Sequence, residues 1–307
     1  MNAPLPLVSV VIPAYNERFF GEAFASALAQ SWPALEVVVC DDSPGGDIES
    51  IVRAAADPRA RHVRNPQRLG FARNFSRCLE LAQGEYVKFL NDDDRLRPRC
   101  VETLVNVMRA NPGVRLAASR RIVIDAQGRP APDILATTPV SHVSALMLGR
   151  ELGDFMLVNG TNFLGEPSTA LFRRADLAIE DGLVFRWGGR DYHCLADMSL
   201  WLRLLAKGLA YYEAGVLSEF RMHPGQEQQG MDFECAAERL WIARQARTAG
   251  FLVTPMLWRT ALAAVIARAE ALRDATVYAP EMRERALALI DEARAELQPP
   301  PGAAPQP

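Results

Sequence analysis

The run Phe89-Leu90-Asn91-Asp92-Asp93-Asp94 places three consecutive carboxylates at the end of an apolar, β-patterned stretch, Tyr86-Val87-Lys88-Phe89-Leu90. Adjacent carboxylates repel one another, so a fold keeps three together when a divalent cation, a set of donors or bulk water offsets the repulsion. Magnesium and manganese take oxygen ligands and commonly share them with substrate phosphates. The run is therefore a candidate metal site. An acidic turn that ends a strand and caps a helix beginning near Pro98 would use the same residue types. A second acidic pair, Asp41-Asp42, ends Leu35-Glu36-Val37-Val38-Val39-Cys40 and precedes Ser43-Pro44-Gly45-Gly46, where Asp also serves turns readily.

These residues need elements that bring them together. Leu7-Val8-Ser9-Val10-Val11-Ile12 is a β-branched run of buried-strand type, and Pro13-Ala14-Tyr15-Asn16-Glu17 follows as a polar break. Segments 18–31, 46–56 and 69–83 read as helices; in the last, Phe75, Cys78, Leu79 and Ala82 fall on one face. Strands alternating with helices predict an α/β fold with a mostly parallel sheet, whose ligands bind outside the carboxyl ends of the strands. The Pro13–Glu17 loop, Asp41-Asp42 and Asp92-Asp93-Asp94 are expected along one rim.

Four segments in this order carry a family resemblance: Val10 to Glu17, Val38 to Ser43, Gly70-Phe71-Ala72-Arg73-Asn74, and Gly84 to Asp94. Together they resemble family 2 glycosyltransferases of the GT-A type. Leu195-Ala196-Asp197-Met198-Ser199-Leu200-Trp201-Leu202-Arg203 is similar to the family's acidic helix, and the resemblance extends to Phe220-Arg221-Met222-His223-Pro224-Gly225-Gln226. It implies a nucleotide-diphospho-sugar donor, UDP- or dTDP-linked, a divalent cation (Mn²⁺ or Mg²⁺), and transfer of the sugar to an acceptor hydroxyl with inversion. Family grounds alone put the acceptor, a glycan or a lipid-linked one, in cell-surface polysaccharide or glycolipid synthesis.

The residue roles are also implied by the resemblance. Pro13, Ala14, Tyr15, Asn16, Glu17, Asp41 and Asp42 would form the nucleotide side, together with Arg73, Asn74, Asn91 and Asp92. A carboxylate there can accept from a base N–H or a ribose hydroxyl, and an arginine can meet phosphate bidentately. Asp93 and Asp94, with His223, would hold the metal. The family commonly carries Asp-x-Asp-Asp where this chain begins with Asn91, which leaves open which pair of acids holds the ion. Arg221 and His223 would belong to a lid over the diphosphate, and Gly165, Glu166 and Ser168 to the sugar or acceptor side. Asp197 matches the general base, with Asp191 as the backup. The alternative for Asp197 is a plain helix cap.

The 307 residues divide on this reading into a glycosyltransferase domain over 1–228, with a nucleotide-binding half about 5–125 and an acceptor half about 126–228. A helical region over 229–297 and a Pro-rich, disordered tail over 298–307 follow. In the helical region, Leu257, Ala261, Leu262, Val265 and Ala269 form a stripe expected to pack on the catalytic domain or on another subunit. A net charge of −3 offers no basis for a nucleic-acid partner. The five cysteines show no Cys-x-x-Cys spacing and are expected to be reduced, as in the cytoplasm. The first residues do not read as a signal peptide, and no run approaches the ~20 apolar residues of a membrane span. A cytoplasmic enzyme is expected, with peripheral contact at the inner membrane face as a further expectation because the late helices carry arginines.

Two other classes share parts of this pattern. A sugar nucleotidyltransferase would carry a Gly- and Arg-rich phosphate loop after the first strand, where this chain has Pro-Ala-Tyr-Asn-Glu. A non-catalytic nucleotide-sugar binder would account for Asn91 and for Ala196, which stands where many relatives have a second acid.

Overall fold

The computed structural model describes residues 4–224, 231–275 and 280–298. Its first half is β1 (Val8–Ala14), α1 (Glu17–Leu28), β2 (Leu35–Asp41), α2 (Asp47–Ala55), β3 (Ala60–Arg64), α3 (Phe71–Leu81), β4 (Tyr86–Phe89), β5 (Arg95–Leu96), α4 (Cys100–Ala110) and β6 (Val114–Ile124). Then come β7 (Ala145–Leu148), α5 (Gly149–Asn159), β8 (Ala170–Arg173), β9 (Arg186–Trp187), β10 (Arg190–Asp191), α6 (Ala196–Leu205) and β11 (Leu209–Arg221). Three helices close the described chain: α7 (Asp232–Thr248), α8 (Pro255–Asp274) and α9 (Pro280–Ala295).

The main sheet runs β3-β2-β1-β4-β8-β6-β11-β5, with β7 also on β11. The first four strands are parallel; β8 enters antiparallel between β4 and β6, and β6 and β11 are again parallel. Ala14 lies opposite Asp41, and Val11 opposite Phe89. The segments that leave β1, β2 and β4 therefore emerge on one edge, as expected. β1 is flanked by β2 on one side and β4 on the other, so the chain order reverses at β1. A crevice opens at such a switch point.

Alternation along the strands divides the core. Val10, Ile12, Val37 and Val39 pack with Phe20, Phe24, Ile48 and Leu104 from α1, α2 and α4. Val11, Val38, Val87 and Phe89 face the opposite way, onto Phe75 and Leu79 of α3. This second layer runs on without a break through Trp201, Leu240, Leu262 and Ile290. The α8 stripe is spent inside the chain: Ala261, Leu262, Val265 and Ala269 are buried in it, so it is not a free face for a second subunit.

One expectation is corrected here. Cys194 and Cys235 form a disulfide, their Cα atoms 5.2 Å apart, while Cys40, Cys78 and Cys100 are free and buried. A separation of 41 residues hides this pairing from any spacing rule; α6 and α7 have to pack before it can form. Among the described residues no helix is long and apolar enough to cross a membrane. The tail beyond 298, and the Gly225 and Gln226 part of the expected lid, lie outside the described residues.

Candidate functional site

Where the nucleotide is expected, the rim encloses a cavity of about 290 Å³ lined by Tyr15, Asp41, Asp42, Ser43, Arg64 and Arg68, among others. Tyr15 is exposed, and the Arg68 guanidinium lies over its ring, 4.5 Å from the centroid. Both acids are engaged by the chain itself. Asp41 accepts from the Ser43 N–H (2.9 Å) and from Arg64 (3.0 Å), and pairs with His62 Nε2 at 2.9 Å. Burial works against its charge, but the hydrogen bonds from Ser43 and His62 and the positive Arg64 hold its carboxyl below the ordinary value. Asp42 accepts from Asn65, Leu69 N–H and Gly70 N–H at 3.0, 2.7 and 2.8 Å. It thus shapes the loop that leads into α3.

Asn74 is likewise a brace. Its amide donates to the carbonyls of Cys40 (3.1 Å) and Ala14 (3.4 Å) and accepts from Asn65 (2.9 Å), which joins the ends of β1 and β2. Arg73, next to it, is exposed. Pro13 and Ala14 are buried strand residues, Asn16 caps α1 by accepting from Arg18 N–H, and Glu17 is half-buried at the helix start.

The acidic turn assigns each carboxylate a different task. Asp92 Oδ2 accepts both the Tyr15 and Asn16 N–H groups at 2.6 Å, which ties the β4 turn to the loop after β1. Burial, then the neighbouring Asp93, pushes its carboxyl up to about 7. Asp94 is fully buried and accepts from Ser168 Oγ (2.6 Å), Arg221 N–H (3.0 Å) and Asn91 Nδ2 (3.2 Å). Ser168 Oγ also accepts the Asn91 N–H. Asp94 and Ser168 therefore build the turn, and both oxygens of Asp94, expected on a metal, already accept from the chain. Arg221 departs from the lid expectation in the same way. Its side chain is buried against Phe19, donates to the Asp93 and Asp125 carbonyls at 2.7 and 3.2 Å, and pairs with Glu22 at 2.7 Å.

Asp93 remains half-buried, with His223 Nε2 3.2 Å from its Oδ2. Among the described residues no three His, Cys, Asp or Glu side chains converge as a complete cation site. A cation that takes one or two protein ligands and its other oxygens from phosphates fits this pair. The surroundings favour one electrostatically: burial raises the carboxyls of Asp92, Asp93, Asp94 and Glu166, and the charge of Asp93 adds to the rise in the other three.

Asp197 is the second residue of α6. The boundary residue is Leu195, and the helix has no side-chain cap, so the plain-cap alternative does not describe Asp197. Among the described residues no donor sits on its carboxylate. Burial, with the charge of Glu166 adding and that of Arg121 opposing, brings it to about 7. Asp191 stands elsewhere. It is exposed on β10 and doubly bonded to Arg186 (2.6 and 2.9 Å), which holds its carboxyl below the ordinary value. A carboxylate so charged and so paired is a poor proton acceptor.

Glu166 faces Arg121, Nε to Oε2 2.8 Å, and Gly165 at φ +94° leaves room for that guanidinium; a Cβ there would sit 2.5 Å from it. Arg121 and Lys88 escaped the sequence reading. Lys88 is fully buried and donates to the Ser168 and Ala170 carbonyls. It had a signal: lysine occurs only at Lys88 and Lys207, and this one interrupts an apolar strand. Arg64 and Arg68 gave none, because nothing local to β3 announces that it ends beside Asp41.

The family model described as glycosyl transferase family 2 matches residues 9–178. A Mycobacterium tuberculosis protein whose description names no activity is 34% identical over 228 residues, 71% of this chain and 68% of its own. The Escherichia coli enzyme described as UDP-Glc:alpha-D-GlcNAc-diphosphoundecaprenol beta-1,3-glucosyltransferase WfaP is 34% identical over 91 residues, 29% of this chain and 36% of its own. Among solved structures, S. aureus TarS 1-349 in complex with UDP-GlcNAc superposes with a TM-score of 0.57 at 15% identity, covering 95% of this chain and 88% of that one.

Proposed function

Because the chain belongs to glycosyl transferase family 2 and has the α/β architecture of the GT-A enzyme TarS, we propose that it transfers a sugar from a UDP-sugar to an acceptor hydroxyl, with inversion and with help from a divalent cation. The observation that carries this reading is the shared rim. Tyr15 lines the nucleoside cavity and its N–H binds Asp92, the next residue is Asp93 beside His223, and the field of Glu166 couples this turn to Asp197. The preference for uridine follows the donor named for WfaP and the ligand in the TarS complex. An acceptor that is lipid-linked, as the WfaP name describes, fits the expectation of a cytoplasmic enzyme that meets the membrane peripherally.

In this reading the base and diphosphate occupy the cavity rim, with Arg73 presented to the phosphates. A sugar diphosphate leaves with charge growing on its β-phosphate. Asp93 and His223 would hold a divalent cation, which would supply Lewis-acid stabilisation of that charge. Asp197 takes the proton of the acceptor hydroxyl as its oxygen attacks the face of the anomeric carbon opposite the leaving group. A carboxyl near 7 is well matched to this work, since about half of it is ionised at neutral pH and it is still basic. A passive binder would have no use for an unbonded carboxylate tuned in this way, which favours catalysis.

Calorimetry with UDP, in Mn²⁺ and in EDTA, tests the donor and metal parts together. UDP is expected to bind the parent more tightly with Mn²⁺, and Asp93→Ala to lose that enhancement. Equal metal enhancement in Asp93→Ala would remove Asp93 from the metal site, and no UDP binding in either buffer would remove the donor assignment.

A further inference from the structure

We propose that Glu238, on α7, is a positioning residue for catalysis: its carboxylate fixes the start of α6 and, through it, the place of Asp197. The inference rests on the reading of Asp197 as the base.

Glu238 is 5% exposed. Oε1 accepts the His193 N–H at 2.9 Å and Oε2 accepts the Leu195 N–H at 2.7 Å. These are the backbone groups immediately before α6, whose boundary residue Leu195 offers no side-chain cap. The first N–H groups of a helix lack partners within it, and a carboxylate near that end also meets the positive end of the helix dipole. Glu238 supplies this from another element. Between the two bonds, Cys194 is joined to Cys235, three residues before Glu238 and so on the same face of α7. Three consecutive residues, 193 to 195, are thus fastened to one face of one helix.

Asp197 follows two residues later with no hydrogen-bond donor of its own among the described residues. Glu166 and Arg121, the charged groups that act on it, come from other segments and bias its proton rather than its backbone. Its position is therefore inherited from the fastening. A reacting group displaced by about 1 Å loses up to about a hundredfold in rate, so a residue that sets the helix start has leverage on turnover without touching substrate. This also gives the C-terminal helices a task in the reaction, although they lie beyond the matched residues 9–178.

The test uses the full chain with Mn²⁺ and measures UDP release from UDP-N-acetylglucosamine and from UDP-glucose, with water as acceptor. Beside it run UDP affinity by calorimetry and the Asp197 titration midpoint by carbon-detected NMR. Glu238→Gln keeps one acceptor oxygen and turns an NH₂ toward the other N–H; Glu238→Ala removes both acceptors. The expected result is UDP affinity within about twofold of the parent, and kcat lower by about tenfold in Glu238→Gln and more in Glu238→Ala. The Asp197 midpoint should fall from about 7 in both, as water reaches a loosened helix start. If Glu238→Ala does not fold, Glu238→Gln decides. Parental kcat and midpoint in the Glu238 variants, with Asp197→Asn inactive, overturn the positioning alone. Loss of UDP affinity in step with kcat assigns Glu238 to folding and overturns it as well. Parental kcat in Asp197→Asn overturns the base reading itself, a result the Glu238 variants cannot mimic.

Discussion

The acids of the β1, β2 and β4 rim and the acid of α6 sit in opposite conditions. Asp41, Asp42, Asp92 and Asp94 each have oxygens filled by the chain: Ser43, His62 and Arg64 on Asp41, two loop N–H groups and Asn65 on Asp42, the Tyr15 and Asn16 N–H groups on Asp92, and Ser168, Asn91 and Arg221 on Asp94. Asp197 has none of this among the described residues. The difference separates two uses of one residue type. A carboxylate that accepts several backbone N–H groups shapes a loop and is committed to it. One left without donors in a poorly solvated place keeps its lone pairs for a substrate proton. Asp93 lies between the two conditions, half-buried and paired only loosely with His223 through its side chain.

This contrast breaks most easily at its strongest point. Asp94→Ala strands the Ser168 hydroxyl, the Arg221 N–H and the Asn91 amide in the interior, and an unpartnered buried network of this kind costs about 3–5 kcal/mol. Urea unfolding is expected to show that loss with or without Mn²⁺. A variant as stable as the parent that only loses its metal response would return Asp94 to the metal site.

Asp197→Asn is next in size. It should lower kcat about a hundredfold or more while UDP affinity stays near the parent's. The parent's kcat should fall as the pH drops through about 7, where the carboxylate takes up its proton. Stability has the opposite sign. The folded chain holds the Asp197 proton up to about pH 7, whereas the unfolded chain releases it near pH 4. The folded state therefore binds more protons in that window, and this carboxylate costs stability as the pH rises through it. Asp197→Asn removes the cost, so at pH 8 its Tm should equal or exceed the parent's. A lower Tm together with normal turnover would show the acid to be structural after all.

Asp42→Ala releases Leu69, Gly70 and Asn65 beside the cavity lined by Tyr15 and Arg68 and is expected to weaken UDP by about 1–3 kcal/mol without changing the pH midpoint of turnover. Unchanged UDP affinity would mean that the loop holds its shape without that carboxylate. The smallest effect belongs to Asp191→Asn. An exposed ion pair with Arg186 contributes about 0–1 kcal/mol, and turnover should be parental. A large loss of kcat there would reverse the assignment of the base.

Some of this was readable before any fold. The β-branched runs ending in Tyr15-Asn16, Asp41-Asp42 and Asp92-Asp93-Asp94 predicted three strand ends on one rim, and β1, β2 and β4 leave on one edge. The helices expected over 18–31, 46–56 and 69–83 are α1, α2 and α3; α2 and α3 are trimmed at both ends, whereas α1 starts one residue earlier, at Glu17, and ends sooner, at Leu28, because a period of apolar positions continues past the last backbone bond. What the local pattern did not carry was the bonding within the rim. Asn74, Asp94, Ser168 and Arg221 were expected on ligands, and each is consumed by a partner 9 to 127 residues away.

The sequence by itself determined the period of the apolar residues, and with it which segments become strands, which faces they bury and where the polar loops lie, since these depend on backbone geometry over a few neighbours. Only the tertiary structure decided which carboxylate stays unbonded. That depends on partners supplied from distant segments: donors from Ser168 for Asp94 and from Leu69 and Gly70 for Asp42, and the Glu238 carboxylate as acceptor for the N–H groups ahead of Asp197. The Cys194–Cys235 pairing is of the same kind. A hydrogen bond or a disulfide needs two groups within a few ångströms, and for groups far apart along the chain that distance is set by packing, which no local pattern records.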